Sequence, residues 1–457
     1  MRRFRSFVVA VLAVCGAAIA QQPPANGNGN GTGPRLTLAQ AYQLALRNDA
    51  TLRAATATAD SARERLPQAR SQLLPNVRAS LAWYRNDLQA TQPGPLGRPL
   101  STENEYSSSS RAVQLRQPLI RPYQWADLRQ ARAQVEASDA TLQGEVQNLA
   151  VRVTTAYVQQ LATSDDLALA LAQKRAYTAL VQAATRKMDA GSGTRTDIDE
   201  AQAKLDLAVA RELQARQNLN YTRQALQLLT GPFEGELARL DPDRLPLAPP
   251  EPVDVQSWIA RAEQASPEIR TLVAQREAAR QEIDKQEAGY LPTLDLVARK
   301  TISNADNVTR IDTRFNQTTV GVELNVPLYT GGYASSRVRQ ARAELVRAEE
   351  QLEAARRELG LRVHKEFRGA SEGVLLVQAM EQAVKSAQTS VQSTRRSWEA
   401  GARTQVDLLR AEEERVSALR DLGAARYTYL LSRVTLRSLV ADADQAAMDE
   451  VNGWLQR

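Results

Sequence analysis

One short stretch occurs twice in this chain, and it limits the possible folds more than anything else. Residues 190–198 read Ala-Gly-Ser-Gly-Thr-Arg-Thr-Asp-Ile, and residues 400–408 read Ala-Gly-Ala-Arg-Thr-Gln-Val-Asp-Leu. Each copy separates two long segments of helical apolar periodicity, so each is expected to be the tip of a helical hairpin. Gly191, Ser192 and Gly193 make the first turn, and Gly401 and Ala402 the second. Glycine enters the left-handed region at low cost, which lets it stop an incoming helix. Thr194 and Thr404 suit the N-cap of the outgoing helix. Asp197 and Asp407 follow three residues later, where a carboxylate meets unpaired amides and the positive end of the helix dipole.

The two tips lie 210 residues apart, and the same offset aligns Leu128–Ala133 with Val338–Ala343 and Val151–Val153 with Leu361–Val363. Upstream the offset becomes 217, pairing Leu74-Pro75 with Leu291-Pro292, and Gln117-Pro118-Leu119 pairs with Val326-Pro327-Leu328 at 209. The chain is thus a tandem duplication of a unit of roughly 200 residues, too long a period for a short-repeat solenoid. The repeats are read as 36–230 and 254–440, joined by a proline-rich extended linker at 231–253 and followed by a polar tail at 441–457 to which the sequence assigns no role.

Composition agrees with long helices packed through small residues: aromatics make up only 5% of the 457 residues, and the net charge is a modest +6. The charge is mixed in sign along the helices, so nucleic acid is not an expected partner. Arg2, Arg3 and Arg5 precede an apolar run over 7–20, which reads as an export signal at 1–20. Cys15, the only cysteine, leaves two processing routes open: cleavage after Ala20, or lipidation at Cys15. Residues 21–34, rich in Pro, Asn and Gly, form a flexible arm.

Within each repeat the apolar period changes. Thr37 with Gln40 forms a capping box, and the helix it opens breaks near Asn48 and ends before Pro75; Asp254 opens its counterpart. Val77, Ala79, Leu81 and Trp83 then alternate with polar residues, as do Leu294, Leu296 and Ala298, and Val320, Val322 and Leu324. This period of two predicts strands at about 76–88, 109–118, 293–302 and 318–326, with polar connections over 89–108 and 303–315. After Pro118 and Pro327 come heptad-like seams: Leu128, Val135, Leu142 and Leu149, repeated as Leu345, Leu352 and Leu359. A helix from 122 to 189 would reach about 100 Å, with a break expected near Ser164 and Asp165.

Four strands cannot close a barrel. An exported chain with one apolar strand face suggests a membrane barrel shared among chains, and three chains would supply twelve strands. A small soluble antiparallel sheet satisfies the same alternation. The fold class is therefore mainly α, with tandem-duplicated coiled-coil hairpins plus four β-strands.

This arrangement resembles the TolC-type outer-membrane channels, or outer-membrane efflux proteins, over residues 36–440. The resemblance rests on Leu74-Pro75 and Leu291-Pro292 and on Val326-Pro327-Leu328-Tyr329 with Gly331-Gly332. It rests also on the tip Gly401-Ala402-Arg403-Thr404 with Asp407. It implies a homotrimer with a twelve-stranded β-barrel in outer-membrane lipid and a periplasmic α-barrel. It also implies a periplasmic adaptor protein that contacts the tips, and an inner-membrane pump of the RND or ABC type. Transport through the duct is then passive, for small molecules or proteins in efflux or type I secretion. In the gate that it implies, Arg403 faces Thr196 and Asp197, and Trp398 stands where a tyrosine is usual. Asp407 rings the narrowest point, and Arg410 replaces a second ring aspartate. Helix capping alone is the plainer role for Asp197 and Asp407, and Glu412-Glu413-Glu414 reads as a solvated face.

No catalytic constellation is visible. There is one histidine, His364, and neither a phosphate loop nor a nucleophile elbow, so neither enzymatic activity nor a metal or other cofactor is expected. The competing class is an exported coiled-coil structural or adhesive protein without a channel.

Overall fold

The computed structural model describes residues 35–93, 98–307 and 310–456. The expected export signal, Cys15 and the expected arm at 21–34 lie outside them. Among the described residues no helix is long and apolar enough to cross a membrane.

Each repeat has the same order: short helices, a β-hairpin, one very long helix, a tip and a return helix. The first copy contains α1 (Leu38–Asn48), α2 (Ala50–Arg63), α3 (Arg65–Ser71), β1 (Asn76–Pro93), β2 (Pro99–Ile120), α4 (Pro122–Asp189) and α5 (Arg195–Thr230). The second contains α6 (Val255–Ala265), α7 (Pro267–Glu287), β3 (Thr293–Asn307), β4 (Arg310–Asn325), α8 (Tyr333–Glu399) and α9 (Gln405–Leu439). A last helix, α10 (Gln445–Asn452), follows. Thr37 and Gln40 make the capping box of α1, and Asp254 caps α6.

The four strands form one antiparallel sheet in the order β1-β2-β3-β4, so β1 and β4 each keep an unpaired edge. Strand pairing runs further than side-chain periodicity indicated. It continues to Pro93↔Pro99 in the first hairpin and to Asn307↔Arg310 in the second, through segments expected to be connections. Backbone ladder bonds do not need an apolar face. Where both faces are polar, the alternation disappears from the sequence while the ladder continues.

α4 spans 68 residues without interruption, or about 100 Å. The break expected at Ser164 and Asp165 does not occur. Those residues are only weakly unfavourable in a helix, and α9 gives the segment partners: the Tyr427 hydroxyl donates to Asp165 at 2.6 Å, and Arg420 donates to Asp166 at 2.8 Å. α4 packs on α7 along its sheet-proximal half and on α5 along its distal half, while α8 packs on α7 and α9.

The largest core sits at mid-length. It joins Tyr42 of α1, Leu149, Val153 and Tyr157 of α4, Tyr429 and Val434 of α9, and Met448 of α10. The segment 231–253 and the tail are part of this core: Leu237, Ala238 and Leu245 are buried, and so are Trp454 and Leu455. Leu237 bridges to Leu36, and Leu240 to Leu455. The Tyr157 hydroxyl lies 2.9 Å from the Leu36 carbonyl and 2.8 Å from that of Ala238, fixing both segments to α4. Burial pushes its ionisation well above the usual tyrosine range.

Candidate functional site at the paired hairpin tips

Both tips close as their sequences require. At the first, Gly191 takes φ +71° and the Ser192 amide returns to the Lys187 carbonyl at 2.9 Å. A Cβ on Gly193 would stand 2.9 Å from the Met188 backbone nitrogen, so the turn has no room for a larger residue there. At the second, Gly401 takes φ +76° and the Ala402 amide returns to the Ser397 carbonyl at 2.8 Å.

Both outgoing helices begin with a reciprocal capping box. Asp197 accepts from the Thr194 amide at 3.0 Å and hydroxyl at 2.7 Å, and its own amide donates back to that hydroxyl at 3.2 Å. Asp407 repeats this with Thr404 at 3.1, 2.8 and 3.2 Å. The Thr404 hydroxyl, then its amide, hold the Asp407 carboxyl below the usual carboxylate range. Arg403 and Arg410 add to the shift through their charge. The second tip is therefore anionic at Asp407 with two guanidinium groups close by.

Two contacts join the tips within one protomer. The buried Gln405 donates its side-chain amide to the Asp197 carbonyl at 3.0 Å. The Lys187 ammonium lies 3.7 Å from the centroid of the Trp398 ring, a cation–π contact between two half-buried side chains. One level further from the turns, Tyr177 of α4, Ala208 of α5 and Leu409 of α9 share a small core. Lys204 of α5 pairs with Glu413 of α9 at 2.8 Å.

Of the expected gate residues, Asp197 and Asp407 sit at the equivalent cap position of the two tips. Arg403, Arg410 and Thr196 are exposed, and among the described residues no bond inside the protomer joins Arg403 to Thr196 or Asp197. Trp398 uses its ring face, towards Lys187.

Sequence patterns missed Lys187, although a signal was present. The offset of 210 aligns Lys187 with Ser397, next to Trp398, so the two side chains lie at one level of the paired hairpins. Glu412 also differs from the solvated face expected of it. It is buried, and Arg395 donates to it at 2.8 Å and Arg415 at 2.9 Å; Glu414 is exposed. Among the described residues no cluster of His, Cys, Asp and Glu could hold a metal ion.

The model of the family described as outer membrane efflux protein matches residues 41–232 and 258–442, one segment per repeat. The chain belongs to this family. The outer membrane efflux protein described here is 33% identical over 418 residues to the alkaline protease secretion protein AprF of Pseudomonas aeruginosa, covering 91% of this chain and 86% of that one. It is 29% identical over 431 residues to the outer membrane protein TolC of Escherichia coli, covering 92% and 85%. The CmeC outer membrane channel of Campylobacter jejuni shares the fold at a TM-score of 0.75, with 14% identity and coverage of 95% and 98%. The protein is thus an outer-membrane channel of the efflux and type I secretion class, a non-enzymatic family whose channels belong to tripartite systems.

Proposed function

We propose that three copies of this chain assemble into one duct. The observation that carries this reading is the four-stranded sheet. Its β1 and β4 edges are unpaired, and one of its faces exposes Val77, Leu81, Trp83, Val113, Val320, Val322 and Leu324. Open edges need partners, and an exposed apolar face needs lipid. Pairing β4 of one copy with β1 of the next closes twelve strands in a membrane, and the long helices then continue the wall as a periplasmic α-barrel.

The tips form the gate of this duct. Arg403 and Thr196, without each other inside a protomer, stand ready for the neighbouring copy's tip, and Asp407 from three copies forms the constriction. Arg410 beside Asp407 offsets that negative charge, which predicts weaker cation preference than a bare carboxylate ring. A periplasmic adaptor docks on the turns at Gly191–Gly193 and Gly401–Ala402, and an inner-membrane pump supplies the energy. Similarity to the Pseudomonas aeruginosa alkaline protease secretion protein and to the proteases secretion protein PrtF of Dickeya chrysanthemi, 29% identical over 430 residues, supports polypeptide export.

Planar-bilayer recording tests the duct directly. Discrete conductance from a purified trimer is expected; a monomer without conductance refutes the duct and leaves the coiled-coil structural role.

A further inference from the structure

The strand register places cations on the lipid-facing side of the sheet. In the direct pairs Val77↔Leu115, Leu115↔Ala298 and Ala298↔Val320, all partners share one face, so the whole apolar face can be followed residue by residue. Two positions along, Val113 opposes Lys300, and four positions along, Leu81 opposes Arg111. Arg111 and Lys300 therefore point to the same side as Val77, Leu81, Trp83 and Val322. They lie on neighbouring strands in diagonal register, about 7–8 Å apart at the backbone. Arg111 is exposed and, among the described residues, makes no ion pair. Lys300 donates to Thr318 at 2.8 Å and, among the described residues, makes no ion pair.

Their level is informative. Lys300 pairs with Thr318 and Arg111 lies level with Asn316, six and eight residues beyond Leu324 on β4. That is about 20–27 Å along a strand, and roughly 15–20 Å of membrane depth at a 40° tilt. At the opposite, helix-proximal end the band reaches the exposed Leu328 and Tyr329, which brings its height to the ~25 Å of a lipid-facing barrel belt. A cation facing hydrocarbon is costly in mid-membrane, and the cost falls towards zero at the headgroups. The pair thus marks the headgroup level on the side away from the helices. Carboxylates of the same face lie further out: Glu105, paired with Arg85 at 2.7 Å and opposite Asp87, and Glu103, which accepts from Gln89 at 3.1 Å.

We propose that Arg111 and Lys300 form a binding site for the phosphate groups of a phosphorylated glycolipid in the outer leaflet. The site rests on the barrel reading above. Apolar surface below takes the acyl chains, the two cations take phosphate, and the polar upper hairpin faces the sugar. Arg111 supplies the planar fork that matches phosphate oxygens, and Lys300 a second positive charge beside it. Closure by three chains repeats the site three times around the belt.

The test uses the full-length protein purified in neutral detergent. A bis-phosphorylated glucosamine-disaccharide lipid and its enzymatically dephosphorylated form are titrated, and retained lipid is counted by native mass spectrometry of the trimer. Wild type should prefer the phosphorylated form at least tenfold. Arg111→Gln with Lys300→Gln should abolish that preference, whereas Arg111→Lys with Lys300→Arg, which keeps both charges, should retain it. Equal retention of the two lipids by wild type overturns the site, as does a preference that survives in the glutamine variant. Bilayer conductance is recorded on the same preparations: its absence counts against the duct, and its presence with no lipid preference counts against the site alone.

Discussion

The contact between Lys187 and Trp398 joins the tips of the two repeats, so removing it should loosen the mouth of the duct. A cation–π pair is worth about 0.5–1 kcal/mol when exposed and about 2 kcal/mol when desolvated. Both partners are half-buried at 3.7 Å from ammonium to centroid, which places the contact near 1 kcal/mol. One kcal/mol changes the balance between closed and open tips about fivefold per protomer. If three tips open together, the terms add to about 3 kcal/mol, or roughly 100-fold in the opening equilibrium. Lys187→Met keeps a long unbranched side chain and removes the charge. Single-channel recording of this variant should show an open fraction raised between fivefold and 100-fold, with unitary conductance of the open state unchanged. Lys187→Arg should restore wild-type gating, because a guanidinium also stacks on an indole. An open fraction within twofold of wild type in Lys187→Met would refute a latch at this contact.

Further outcomes are expected. Arg403→Ser should raise resting conductance in the bilayer, while Asp407→Asn should reduce cation preference and divalent block; unchanged conductance and selectivity would limit both residues to capping. Acid should loosen the second tip. The Asp407 carboxyl is held below its ordinary range in the folded protein, so its stabilisation is complete above the ordinary carboxylate pKa and is lost as pH falls below it, which amide exchange at Thr404 and Asp407 would register. Gly193→Ala should distort the first tip, since its Cβ meets the Met188 backbone; a normal exchange pattern across 187–197 would contradict the geometry. Asp49 caps α2 through the Leu52 amide at 2.7 Å and accepts from Arg152 at 3.1 and 3.2 Å, so Asp49→Ala should cost about 2 kcal/mol and lower the temperature of heat dissociation.

The tips and the duplication could be read because glycine stops, N-cap threonines and cap aspartates are local signals that need no partner. The strands were legible only where apolar and polar residues alternate, between Val77 and Trp83 for instance, and not over 99–108, where a backbone ladder holds a polar chain. The continuity of α4 through Ser164 and Asp165 depends on Tyr427 and Arg420, more than 250 positions away. The buried state of Glu412 likewise depends on Arg395 from the other arm of its hairpin, at 2.8 Å. The role of the 231–253 segment and the tail was hidden for the same reason. Their prolines and charges describe a loose chain, while the mid-length core that receives Leu237 and Leu455 is assembled from both repeats.

The unbroken α4 has a mechanical consequence. From Tyr157, clamped in the mid-length core, to Asp189 at the tip is a rod of 32 residues, about 48 Å long. A pivot of 5° at the clamp sweeps the far end through roughly 4 Å, wider than a hydrogen bond is long. Torque applied near the waist of the molecule therefore arrives at the mouth as displacement, with no hinge along the way to absorb it.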